Sequence, residues 1–369
     1  DIIMKILPLL TVISGMLFSP ATLSATDIDS LKSKKWDDII TQAKEEGSLT
    51  FSVWYLQPQW RAFVKPFEDE YGIKVRIAEG TLDGNTNKLL AESKRKKGKM
   101  DVIALSVDRF PLVYKVNALS PIDWLPEYEN GYHNIQNQDT YGYAVAFWGN
   151  QTGFSYDPKQ VKETELPNTF PELQRFINKN PKKFGYNAPN TGGGGGSFIQ
   201  RVLTIKAGEF DGYAQQVDEN VVHGWSAGWQ WFEDNRENMI LTGSGADSLT
   251  RLNDGEFTLV PSWEDHMLGL QKTGAITSRL KFYVPEFAMA GGGNVVAIAH
   301  NSQHPAASMV FINWLIHEET QIALHKEFGA KPLNKKLLSK SANQDPIYFF
   351  SKDYGTQVNK EFMRKVMMK

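Results

Sequence analysis

The sequence predicts an α/β protein whose helices cover a mostly parallel sheet, and three observations carry that expectation. Helical and strand patterns alternate as α, β, α, β, α, β along the first part of the chain. Asp101-Val102-Ile103-Ala104-Leu105 is a short apolar run of the kind shown by a strand buried on both faces. The 369 residues suffice for two domains of ordinary size, each burying a core without disulfide staples.

Each element has its local reason. Asp38 to Ala43 reads as a short amphipathic helix, and Gly47 introduces the alternating strand Leu49-Thr50-Phe51-Ser52-Val53-Trp54. Trp60 to Tyr71 returns to helical spacing, with Val64, Phe67 and Tyr71 on one face. Pro66 lacks an N–H donor, so it either kinks this helix or marks a first turn. Gly72 ends it, and Ile73 to Ile77 is the next strand. Asn87 to Lys97 is a helix closing on Lys94-Arg95-Lys96-Lys97, a basic run read as a solvated end that complements the helix dipole. After an irregular stretch to Thr140, Tyr141 to Trp148 and Gly153 to Tyr156 read as two separate strands. Pro167 to Ile177 is a cap and helix, with Thr169 at the N-cap and Pro171 at the first helical position. Short strands follow at Leu259 to Ser262, Phe282 to Val284 and Val295 to Ala299, then helices at Ala306 to His317 and Thr320 to Phe328.

The N-terminus points to export. Met4 and Lys5 make a short basic start, Ile6 to Phe18 is mostly apolar, and Pro20, Ala21, Ser24 and Ala25 form a cleavage region. The apolar run is shorter than the roughly 20 residues a bilayer span needs, so residues 1–25 are expected to be a removable signal cleaved after Ala25. An N-terminal anchor or a buried first helix is the competing reading. Asp1 to Ile3 precede Met4 and are set aside from the fold. There is no cysteine anywhere, which removes a lipoprotein anchor and any need for oxidative folding. A net charge of −2 gives no reason to expect nucleic acid or an anionic membrane as the main partner. Ten Trp and 13 Tyr supply flat amphipathic surfaces suited to sandwiching small polar molecules.

Five segments together resemble a known family. They are Leu49 to Tyr55 with Phe67 to Val75; Met100 to Leu105 with Asn117 to Pro121; Tyr141 to Val145 leading to Thr152 to Asp157; Leu166 to Leu173; and Ala306-Ala307 through Phe311 to Leu315 and Phe328 to Asn334. In order and spacing the chain resembles the periplasmic solute-binding proteins of bacterial ABC importers, in the group of iron, thiamine and polyamine binders. The resemblance implies a type II periplasmic-binding-protein fold, two α/β lobes joined by crossing strands at a hinge, with ligand enclosed between them. The crossings are expected near Ala146 to Trp148 and near Glu286 to Ala288. Lobe 1 then comprises residues 26–146 plus 287–331, and lobe 2 residues 147–286 plus 332–369. A small-molecule solute, an inner-membrane permease as partner, a periplasmic location, a monomeric state and no cofactor are implied with it.

Loops at the carboxyl ends of parallel strands line such a crevice, which selects the ligand candidates. Trp54 and Tyr55 end the first strand and are placed to stack on a ring or face a cation; packing beneath the helix is the plainer role for one of them. Ser106 follows Leu105 as a hydrogen-bond donor. The tract Gly192 to Gly196 precedes a helix starting by Phe198, so Gly195, Gly196 and Ser197 are expected to hold an anionic group, unless the tract is only a flexible linker. Trp263 and Glu264 follow a strand of the second lobe and suit a stacked cation, the alternative for Glu264 being a favourable place on the helix dipole. Gly292 and Asn294 lie in Met289 to Asn294, where glycines allow close backbone approach or simply a turn.

Catalysis and metal binding find little support. His300 and His304 have helical metal-pair spacing but sit beside Pro305 in a loop; the adjacent tyrosines that the resemblance implies for an iron binder are absent, which disfavours ferric iron. There is no Gly-x-Ser-x-Gly elbow, no His-Glu-x-x-His and no cysteine nucleophile. The alternative function is an exported hydrolase or lyase using Glu264 and Asp265, though adjacent residues rarely flank one bond from both sides.

Overall fold

The computed structural model describes residues 28–208, 210–338 and 347–369; the expected export signal lies outside them. Eleven strands occur among the described residues: β1 (Ser48–Ser52), β2 (Lys74–Arg76), β3 (Val102–Ser106), β4 (Asn134–Ile135), β5 (Gln138–Asp139), β6 (Val145–Tyr156), β7 (Phe184–Asn187), β8 (Met239–Thr242), β9 (Leu259–Trp263), β10 (Lys281–Tyr283) and β11 (Gly291–Ile298). Nine of them form one mixed sheet in the order β2-β1-β3-β11-β6-β9-β7-β8, with β10 also on β6. β1, β2 and β3 are parallel, as are β7, β8 and β9, whereas β11 and β6 run antiparallel to their neighbours.

Strand alternation builds four apolar clusters, one on each face of each half of the sheet. In the first half, Val102 and Ala104 of β3 join Phe51, Phe147 and the helix Pro305–Ile316 on one face. Ile103 and Leu105 join Phe110, Val295 and Ala297 on the other. In the second half, Phe154, Phe184 and Phe198 gather with the helix Lys352–Phe362, while Val260, Leu249 and Phe257 pack on the opposite face. The helices owe their positions to local chemistry. Thr169 and Glu172 form a reciprocal capping box at the helix Phe170–Lys179, with Pro171 in its first turn.

Several expectations are corrected. Trp60 to Tyr71 is two helices, Gln57–Phe63 and Lys65–Tyr71, because Pro66 belongs to the first turn of the second. The expected helix Asn87 to Lys97 runs instead over Leu82–Glu92, started by the Thr81 hydroxyl accepting the Gly84 N–H at 3.0 Å. The basic run Lys94 to Lys97 therefore lies beyond the helix, and Asn301 Nδ2 bonds the Glu92 and Arg95 carbonyls there. The two strands expected around Gly149 to Thr152 are one continuous strand, β6. Its glycines do not mark a turn. A Cβ on Gly149 would collide with the Lys331 carbonyl oxygen, and one on Gly153 with that of Tyr283. β11 begins at Gly291, so Gly291 to Gly293 are strand residues.

Candidate functional site

β6 pairs with β11 as far as Gln151 and with β9 from Thr152 onward, so it serves both halves of the sheet. Small residues let the strands meet closely there. A Cβ on Gly293 would stand 2.7 Å from the Trp148 carbonyl oxygen, and one on Gly291 would stand 2.7 Å from that of Asn150. Lys331 bonds its N–H to the Gly149 carbonyl at 2.8 Å and its ammonium to Gln151 Oε1 at 3.0 Å. Burial lowers the Lys331 pKa, and the nearby Glu264 charge opposes that shift.

Beside this crossing lies a cavity of about 750 Å³ whose walls come from both halves. Gln59, Glu327 and Phe328 contribute from the first, Trp148 from β6 between them, and Gly193, Trp263, Asp265 and His266 from the second. Trp148 is fixed by its indole N–H, which donates to Asn150 Oδ1 at 2.9 Å, and by Phe328 at 5.3 Å between ring centres. Tyr55 packs edge-on to Trp148 at 5.2 Å, and Trp54 packs edge-on to Tyr55 at 4.8 Å. The Tyr55 hydroxyl accepts from Asn294 Nδ2 at 3.1 Å. The β3–β11 register sets Asn294 opposite Ser106, whose hydroxyl donates to Asp108 Oδ1 at 2.5 Å. Burial raises the Tyr55 pKa, and the Asp265 charge from the other half adds to the rise.

The opposite wall follows from how β9 ends. Trp263 is its last residue, and the ring stacks on Phe349 with centres 5.3 Å apart and planes 21° apart. The helix Glu264–Lys272 begins at the next residue. Successive side chains on a helix diverge by about 100°, so Glu264 and Asp265 point different ways. Asp265 lines the cleft cavity; Glu264 lines a second cavity of about 430 Å³ with Tyr156, Met267 and His325. There the Glu264 carboxylate lies 3.4 Å from His325 Nδ1. Burial raises the pKa of both carboxyls. Asp265 accepts the His266 N–H at 2.9 Å and forms no ion pair with Lys or Arg among the described residues. Lys272, which also lines the cleft, pairs with Glu327 at 3.3 Å.

The glycine tract leads into a helix. Gly195 starts the helix Gly195–Ala207, and its N–H donates to Asn187 Oδ1 at 3.0 Å. The buried Ser197 hydroxyl bonds Thr152 Oγ1 at 2.6 Å and accepts the Ala290 N–H at 3.1 Å. Gly196 is buried over Pro189. Gly193, at φ +71°, is the tract residue that lines the cleft. Gly292 sits in the crossing beside Gln136.

Thus Trp54, Tyr55, Ser106 and Asn294 gather behind one wall, Trp263 forms the other, and Glu264 faces the second cavity. Sequence reasoning missed Trp148, Asn150 and His266 as cleft residues and did not separate Asp265 from Glu264. Trp148 and Asn150 sit in a strand whose apolar pattern signals only burial. Helical periodicity from the end of β9 was the available signal for Asp265. Among the described residues no group of three metal-ligating side chains occurs; His300 Nε2 lies 2.6 Å from the Ser93 carbonyl, and His304 bonds Asp101.

The family model for bacterial extracellular solute-binding proteins matches residues 62–350. A protein from Bordetella parapertussis described as an extracellular solute-binding protein superposes with a TM-score of 0.65 at 15% identity, covering 87% of this chain and 99% of that one. The spermidine/putrescine transporter substrate-binding protein PotD from Streptococcus pneumoniae gives 0.60 at 13% identity, over 87% and 98%. Iron-bound HitA from Pseudomonas aeruginosa gives 0.52 at 17% identity, over 86% and 99%. These likenesses show the fold, that of the type II periplasmic binding proteins. No curated protein matches the chain in sequence.

Proposed function

The chain belongs to the bacterial extracellular solute-binding protein family, and we propose that it captures a small polar organic solute between two lobes and delivers it to an inner-membrane ABC permease. The lobes are residues 26–146 plus 287–331 and residues 147–286 plus 332–369, acting in the periplasm as a monomer. The observation that carries this reading is the cavity of about 750 Å³, lined from both halves where β6 and β11 cross. That volume lies within the range of about 300–1,000 Å³ typical of small-molecule sites. Solute touching both walls favours the closed arrangement, which the permease recognises.

The solute is bound and not transformed. Glu264 and Asp265 line separate cavities, so they do not flank one bond as acid and base. Two chemistries suit the solute, an anion-bearing molecule or a polyamine- or thiamine-like cation. Mass spectrometry of small molecules released from the purified protein, joined to small-angle scattering before and after their return, tests the reading. The expected result is a stoichiometric, chemically unchanged molecule whose return reduces the radius of gyration. Turnover of that molecule, or an unchanged radius, would overturn it.

A further inference from the structure

We propose that the cleft selects an organic cation with a flat or apolar body, its positive group held by Asp265 and its body against Trp263. This rests on the capture function above and names the class of its solute.

The charges around the cavity lead to it. Its lining holds two carboxylates, Asp265 and Glu327, and one ammonium, Lys272. Lys272 is already paired with Glu327, which leaves the Asp265 charge without a Lys or Arg counter-ion among the described residues. His266, the other titratable group on this lining, gives Asp265 its backbone N–H, and the charge of its imidazole also favours the carboxylate. A carboxylate drawn out of water is stable only when hydrogen bonds and an opposite charge replace its hydration. Two backbone N–H groups, of His266 and of Asp265 itself, and the neighbouring imidazole meet that need in part, and a ligand cation would complete it. Asp265 shares this cavity with Gln59 and Phe328 of the first half, so a cation on it sits between the walls.

The walls fit the rest of such a molecule. Trp263 is braced by Phe349, and Trp148 is hooked by Asn150, so both indoles meet a guest in fixed orientation. Indole faces attract cations and stack on flat rings. An anionic solute would instead meet Asp265 with like charge. It would also find the Gly195 N–H and the Ser197 hydroxyl already engaged within the protein.

Isothermal titration with four probes separates the possibilities: thiamine as a flat cation, spermidine as a cation without a flat part, citrate as an anion and maltotetraose as a neutral sugar. Thiamine is expected to bind most tightly, spermidine more weakly, and the other two not measurably. Asp265→Asn should weaken thiamine binding at least tenfold while Asp265→Glu restores part of it, each variant being checked for native circular dichroism. Binding of citrate or maltotetraose with closure overturns the cation assignment and leaves solute capture standing. Loss of thiamine binding in Glu264→Gln but not in Asp265→Asn also overturns it. Silence from all four probes, with no closure in scattering, counts against capture itself.

Discussion

Gly149 stands where three stretches of backbone meet: its own strand β6, β11 on one side, and Lys331 on the other. A methyl group there would strike the Lys331 carbonyl oxygen, a backbone atom that no rotamer change can move aside. Gly149→Ala is therefore expected to destabilise the protein by about 1–3 kcal/mol, as overpacking commonly does. Gly355, inside the helix Lys352–Phe362, meets nothing within 4 Å of an added Cβ. Gly355→Ala should instead stabilise by about 0.5–1 kcal/mol, since glycine is the weaker helix former. Urea titration of both variants reads the contrast, and equal effects would mean that close approach is not why glycine occupies position 149. The same residue shows what the sequence could not reveal. A glycine between two apolar runs looks like a break, and only the chain passing beside it, 182 positions away, shows why it is needed.

Among the elements, the loop from His300 to His304 works as a clasp. Asn301 bonds the Glu92 carbonyl at the end of the helix Leu82–Glu92 and the Arg95 carbonyl beyond it, Gln303 bonds the Gly98 carbonyl, and Ser302 and His304 both bond the Asp101 carboxylate. Burial by itself would raise the Asp101 pKa, but hydrogen bonds from His304, Ser302 and Thr50 outweigh it and the net shift is downward. The hydrogen bond to Asp101 raises the His304 pKa above its ordinary 6.5, partial burial opposing it. The signs then follow from linkage. The His304 contribution is complete below about pH 6.5 and is lost as pH rises through the raised folded value. The Asp101 contribution is present above about pH 4 and is lost as pH falls through the depressed folded value. His304→Gln should thus remove a decline in melting temperature that the parent shows between pH 6 and pH 8. Melting curves at pH 5, 6.5 and 8 test this; a parent–variant difference independent of pH would contradict it. Elements of this kind were partly legible. Period and caps locate the helices near Thr169 and Ala306, but Asp83-Gly84-Asn85-Thr86 are poor helix formers, so periodicity alone starts that helix five residues late. A clasp joining residues about 200 positions apart leaves no local pattern to read.

For the molecule as a whole, capture by closure requires each half to move as a rigid body while the strands between them flex. The four apolar clusters are divided accordingly: the two containing Phe51 and Ile103 belong to the first half, and those containing Phe154 and Val260 to the second. β6 serves both, contributing Val145 to Trp148 to one half and Phe154 to Tyr156 to the other. Across the cleft the halves also touch through Lys272 with Glu327, an exposed ion pair worth at most about 1 kcal/mol. Glu264 with His325 adds a second ion pair between the same elements, so separate opening of the two cores depends on both pairs giving way. Ile312 and Ile199 are both fully buried, one in each half. Shortening either to valine removes one methylene and costs about 0.5–1.5 kcal/mol. Hydrogen exchange under native conditions should then show Ile312→Val speeding amides of β1, β3 and the first four residues of β6, with β7 and β9 unchanged. Ile199→Val should do the reverse, reaching β6 only from Thr152 onward. A uniform acceleration through both halves would reveal one cooperative body, and a protein built that way has no independent lobes to close around a solute.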